Sequence, residues 1–76
     1  MKVQILGTGC PKCNMLYRTA QEAIEQLGID AELVKVEDIN QIVEMGVMLT
    51  PALAIDGVVK FSGKAPGIDE VKKYLQ

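Results

Sequence analysis

The chain has 76 residues, 49 % of them hydrophobic and 24 % charged, with a net charge of −2. That length suits a single domain spanning 1–76, because a domain this small already buries only ~60 % of its unfolded surface. The small net charge, without runs of Lys or Arg, leaves no electrostatic footprint for nucleic acid or an anionic membrane, and no stretch approaches the ~18 apolar residues of a membrane span.

The first predicted element is a strand over "KVQIL" (2–6), which is also too short and too polar for the apolar region of a secretory signal. The cytoplasm is therefore the expected compartment, and a monomer is the expected state. Helical period begins just after a Cys-Pro-Lys-Cys stretch: Leu16, Ala20, Ala23, Ile24 and Leu27 form one apolar stripe, and Gly28 supplies a C-terminal stop. "ELVKVE" (32–37), with Val34 and Val36 in alternation, reads as a second strand. It is expected to run parallel to the first because a helix crosses between them.

Asp38 followed by Gln41 has the spacing of a capping box, and Ile39, Ile42 and Val43 supply an apolar face for a short helix ending before Gly46. "PALAI" (51–55) and "VVKF" (58–61) flank Asp56-Gly57, a dipeptide suited to the two positive φ angles of a type I′ hairpin. A last helix is set by Ile68, Val71 and Leu75, with Glu70 early and Lys72 and Lys73 late, as the helix dipole favours. The order β-α-β-α-β-β-α predicts an α/β fold, a four-stranded mixed sheet with helices on both faces.

Both cysteines of the chain, Cys10 and Cys13, lie at the first strand-to-helix turn. The spacing alone admits a redox couple, a metal clamp or two small buried side chains. In a reducing compartment a permanent structural disulfide is less favoured than any of these. Placing Cys10 at the helix N-cap and Pro11 at the first helical position puts the Cys10 sulfur near free backbone N–H groups and the positive end of the dipole, which stabilises thiolate. Lys12 adds a neighbouring cation. Cys13, one helical turn away and less exposed, is then the thiol that resolves a mixed disulfide made by Cys10. Gly7, Gly9 and Pro11 mark the turn as a surface loop, where packing gives thiols little reason to occur.

The stretch "GCPKC" after a first strand, "LTPALAIDG" about forty residues later, a hairpin, a glycine and a closing helix together resemble the small thioredoxin-fold proteins of the glutaredoxin and archaeal thioredoxin-like type. These are also called small redox-active disulfide proteins. The resemblance covers nearly the whole chain and implies a thioredoxin-like fold and thiol–disulfide oxidoreductase activity on protein disulfides. A reductase would be the electron donor, and no cofactor or metal beyond the Cys10–Cys13 disulfide is implied. It also implies that Pro51 is cis and that the backbone of Thr50 pairs with substrate as an added strand. Pro11, Lys12 and Gly9 are read, from their place at the turn, as support for the cysteines. Lys12 stands where glutaredoxins carry an aromatic residue. "GKAPGID" replaces their compact Gly-Gly followed by Asp, so glutathione is not carried over as a partner; Asp69 reads as a first-turn dipole charge.

"GTGCPKC" is also similar to the "GMTCxxC" loop of heavy-metal-associated domains, which makes a Cu(I) or other soft-metal chaperone the alternative. Those domains end on a strand, whereas this chain is predicted to end on a helix. Zinc would need twice the cysteines present, and a redox-regulated binding module is a third class. Tyr17 and the methionines Met15, Met45 and Met48 read as core or rim packing.

Overall fold

A computed structural model describes residues Met1–Gln76. Its elements are β1 (Lys2–Leu6), α1 (Pro11–Leu27), β2 (Glu32–Val36), α2 (Ile39–Glu44), β3 (Ala52–Ile55), β4 (Val58–Ser62) and α3 (Ile68–Leu75). The predicted order holds, with boundaries moved by a residue or two.

The strands lie in the order β2-β1-β3-β4. β1 runs parallel to β2 and antiparallel to β3, and β4 returns antiparallel beside β3. Asp56 and Gly57 take φ of 50° and 85°, the paired positive angles a type I′ turn requires. Across that hairpin Leu53 faces Phe61 while Ala54 faces Val59, so Lys60 is an extra residue and β4 carries a bulge.

Side-chain alternation divides the core between the two sheet faces. Val3, Ile5, Leu53, Ile55 and Phe61 pack with Leu16, Ala20 and Ala23 of α1 and with Val71 and Leu75 of α3. On the opposite face Leu6, Val36, Ala52 and Ala54 pack with Ile42 and Val47. α1 and α3 thus cover one face, and the short α2 covers one end of the other. Every residue of β3 is buried, as expected for a strand flanked on both sides and covered above and below. No helix is long and apolar enough to cross a membrane.

Two local expectations change in three dimensions. Asp38 does cap α2, but its carboxylate accepts from the Asn40 N–H at 2.8 Å, so the cap is a single side-chain bond rather than a reciprocal box with Gln41. Asp38→Ala should cost about 1 kcal/mol of unfolding free energy in urea with the oxidised protein; an unchanged midpoint would show that α2 is held by tertiary packing alone. The face read as core-facing is also only partly buried: Ile42 is covered, whereas Ile39 and Val43 are 63 % and 64 % exposed. A helix of six residues reaches the sheet with one side chain per turn, and the rest of its apolar surface remains outside.

Candidate active site

The turn between β1 and α1 has one backbone requirement that side chains cannot meet easily. Gly9 has φ of 88°, in the left-handed region, which brings the chain from the end of β1 into the helix within four residues. Cys10 follows as the N-cap of α1, in extended conformation, and Pro11 takes the first helical position, where its missing N–H has no intrahelical partner to lose. α1 then runs for 17 residues to a left-handed Gly28, so the whole macrodipole of a long helix terminates at Cys10.

Cys10 and Cys13 are joined in a disulfide with their Cα atoms 5.0 Å apart. The two sulfurs are not equivalent. Cys10 is half-buried, and its Sγ accepts from the backbone N–H of Cys13 at 3.2 Å. Cys13 is 5 % exposed, and its buried side chain corrects the reading of the whole turn as a surface loop. Gly7 is buried as well, and its N–H donates to the Val36 carbonyl at 2.9 Å. Lys12 projects into solvent.

The second half of the site comes from the chain before β3. Because Leu6 pairs with Ala52 in the antiparallel register, the next residues, Gly7 and Thr8, lie across from Pro51 and Thr50. A Cβ built on Gly7 would lie 3.8 Å from Thr50 Cβ and 3.0 Å from Cys13 Cβ, so Gly7 separates the disulfide from this loop by the width of one missing methyl group. The Thr50–Pro51 peptide is cis, Pro51 is buried, and its carbonyl accepts from the Gly63 N–H at 2.8 Å. Exposed Thr50 borders an open groove lined also by Thr8, Ile39, Val43, Val47 and Met48 among others, none of them charged.

Several neighbours of the site escaped the sequence reading. A small cavity of about 10 Å³ beside Cys13 is bounded by Ile5, Gly7, Gly9, Asn14, Lys35 and Glu37. Lys35 pairs with Ile5 across the parallel register and Glu37 lies just beyond β2. The general placement of sites at the carboxyl ends of parallel strands was the available signal for both. Tyr17 packs against the α1–α3 core, with Lys35 Nζ 4.7 Å from its ring centroid, and is not a cover for the disulfide. Met45 packs against the α2 core, whereas Met15 and Met48 are 60 % and 94 % exposed, so these two are surface residues rather than core. Asp69 lies in the first turn of α3, as the dipole argument expects.

A vicinal pair of cysteines with one sulfur at a helix N-terminus and the other buried one turn inside, on a mixed sheet beside a cis-proline loop, defines the class of the protein: a thiol–disulfide oxidoreductase. The family model described as thioredoxin domain matches residues 1–76. The chain is 51 % identical over 74 residues to a thioredoxin of Methanocaldococcus jannaschii, covering 97 % of this chain and 85 % of that one. It is 48 % identical over 75 residues to a thioredoxin of Methanothermobacter thermautotrophicus, covering 99 % and 97 %. A probable thioredoxin of Methanothermobacter marburgensis is 37 % identical over 65 residues, covering 82 % and 75 %.

The chain belongs to the thioredoxin domain family. The soft-metal chaperone alternative finds no support: the chain closes on a helix rather than a strand, and the full-length relatives carry the thioredoxin name. No group of three or more His, Cys, Asp or Glu side chains is placed to hold a metal ion.

Proposed function

We propose that residues 1–76 act as one unit, a cytoplasmic monomer that reduces or exchanges protein disulfides by shuttling Cys10 and Cys13 between dithiol and disulfide. The observation that carries this reading is the inequality of the two sulfurs, one capping α1 and half-exposed, the other 5 % exposed.

In this reading Cys10 thiolate attacks one sulfur of a substrate disulfide, and the other substrate sulfur leaves as thiolate. Cys13, deprotonated, then attacks Cys10 Sγ and expels the second substrate sulfur. The chain is left as the Cys10–Cys13 disulfide, and a protein reductase returns two electrons to it. Pro11 fixes the start of the helix, Gly9 supplies the turn that aims Cys10 outward, and Lys12 adds positive charge next to the nucleophile. The Thr50 backbone pairs with an extended substrate segment, with Pro51 closing that end of the strand. The uncharged groove beside Thr50 suits an apolar protein segment and offers no cation for the carboxylates of glutathione. No cofactor is required, since the electrons reside in the sulfur pair.

Alkylation of the reduced protein across pH tests the reading. Cys10 should react first, with an apparent pKa below the ~8.5 of a free thiol, and the protein should catalyse dithiothreitol-driven reduction of a disulfide-bonded protein. A Cys10 that titrates like a free thiol would remove the helix-cap argument. A submicromolar Cu(I) site with no reversible disulfide would return the chain to metal handling.

A further inference from the structure

The buried sulfur of Cys13 is bordered by a residue that has no side chain, Gly7. An ideal Cβ on Gly7 would be driven into Cys13 Sγ and would lie 3.0 Å from Cys13 Cβ. Gly7 has no left-handed φ, so its backbone conformation is open to any residue. Its backbone is also fixed, by the 2.9 Å hydrogen bond to Val36, and cannot retreat from a larger side chain without breaking the β1–β2 ladder. The absence of a side chain at position 7 therefore serves one residue, Cys13, its sulfur foremost and its Cβ second.

We infer that Gly7 is a positioning residue that sets the redox poise of the Cys10–Cys13 couple, by leaving the space that Cys13 Sγ must occupy in the disulfide state. Reduction brings in two electrons and two protons, replaces the S–S bond by two S–H groups, and oxidises the external dithiol that supplies them to its own disulfide. While the bond exists, Cys13 Sγ is tied to Cys10 and cannot swing away from residue 7. Once it is broken, the Cys13 side chain is free to turn about χ1, and the cavity of about 10 Å³ beside it gives a displaced sulfur somewhere to move. A methyl group at position 7 thus penalises the disulfide more than the dithiol. This rests on the couple cycling as proposed above, with Gly7 deciding where its equilibrium lies.

The test is the reduction equilibrium of wild type and Gly7→Ala in dithiothreitol redox buffers, with unfolding of both proteins in both redox states. Gly7→Ala should become easier to reduce by about tenfold in equilibrium constant, about 30 mV for a two-electron couple, and should lose more stability oxidised than reduced. In a Cys13→Ala background, where no sulfur fills the space and only the residue 13 Cβ at 3.0 Å remains close, Gly7→Ala should cost clearly less unfolding stability than it does in the oxidised protein. That double variant also carries the test if oxidised Gly7→Ala does not fold.

An unshifted reduction equilibrium, or equal destabilisation with and without the Cys13 sulfur, would overturn the inference and reduce Gly7 to a structural glycine. Wild type without any reversible two-electron couple would overturn the proposed function, and this inference with it. A cycling wild type with an unresponsive Gly7→Ala overturns the inference alone.

Discussion

Cys13→Ser should accumulate a covalent one-to-one complex with a disulfide-bonded substrate protein, whereas Cys10→Ser should form none. The expectation follows from the position of each sulfur. With Cys13 replaced, Cys10 still caps α1, accessible and facing the backbone N–H of residue 13, so it still opens a substrate disulfide. The mixed disulfide then has no internal thiol to resolve it and persists until an external thiol is added. With Cys10 replaced, the remaining sulfur is 5 % exposed behind the first turn of α1 and pressed against Gly7, out of reach of a folded partner. Both variants should lose catalytic turnover of protein disulfides, since each lacks half of the couple. Non-reducing electrophoresis and intact mass after mixing decide the matter. A complex that forms with Cys10→Ser and not with Cys13→Ser would exchange the two roles.

Leu53→Ala should lower the stability of the oxidised protein by about 2–5 kcal/mol. Leu53 is fully buried in the central strand β3, opposite Ile5 on one side and Phe61 on the other, beneath α1 and α3. Truncating it removes the transfer free energy of its side chain and leaves a cavity that strands hydrogen-bonded on both sides cannot collapse to fill. A domain of this size has a total stability on the order of 4–11 kcal/mol, so the melting temperature should fall by roughly 10 °C or more. The same truncation at Ile39, 63 % exposed on α2, should leave the melt within a degree or two, because its side chain already contacts water. Thermal unfolding followed by circular dichroism compares the two directly. Equal losses at both positions would mean that Ile39 is covered in solution, for instance by a second copy of the chain.

β1, α1 and the β3–β4 hairpin were legible in the sequence because their signals are local. An apolar stripe in 3.6 period, a proline after an N-cap and a left-handed Asp-Gly pair each fix backbone geometry within a few residues. The placement of the two cysteines was legible for the same reason, since a helix beginning at Cys10 determines where Cys13 lies. The isomer of Pro51 was not legible: cis and trans differ little in free energy at X–Pro bonds, and the surroundings of the loop select between them.

What remained belonged to tertiary structure. That Gly7 touches Cys13, that Thr50 and Pro51 lie across from Thr8 and Gly7, and that Lys35 and Glu37 border the buried sulfur all depend on strand register between segments tens of residues apart. A one-residue slip would turn each of those side chains to the opposite face. Periodicity showed that α2 has an apolar face, but whether that face meets the sheet or solvent depends on how far six residues of helix reach over it, and only Ile42 arrives. Local sequence placed a cysteine pair at a helix N-terminus, because the N-cap, the proline and the apolar stripe all act within a few residues. The packing of distant strands decided which sulfur is covered, what it rests against and which surface beside it stays open to a partner.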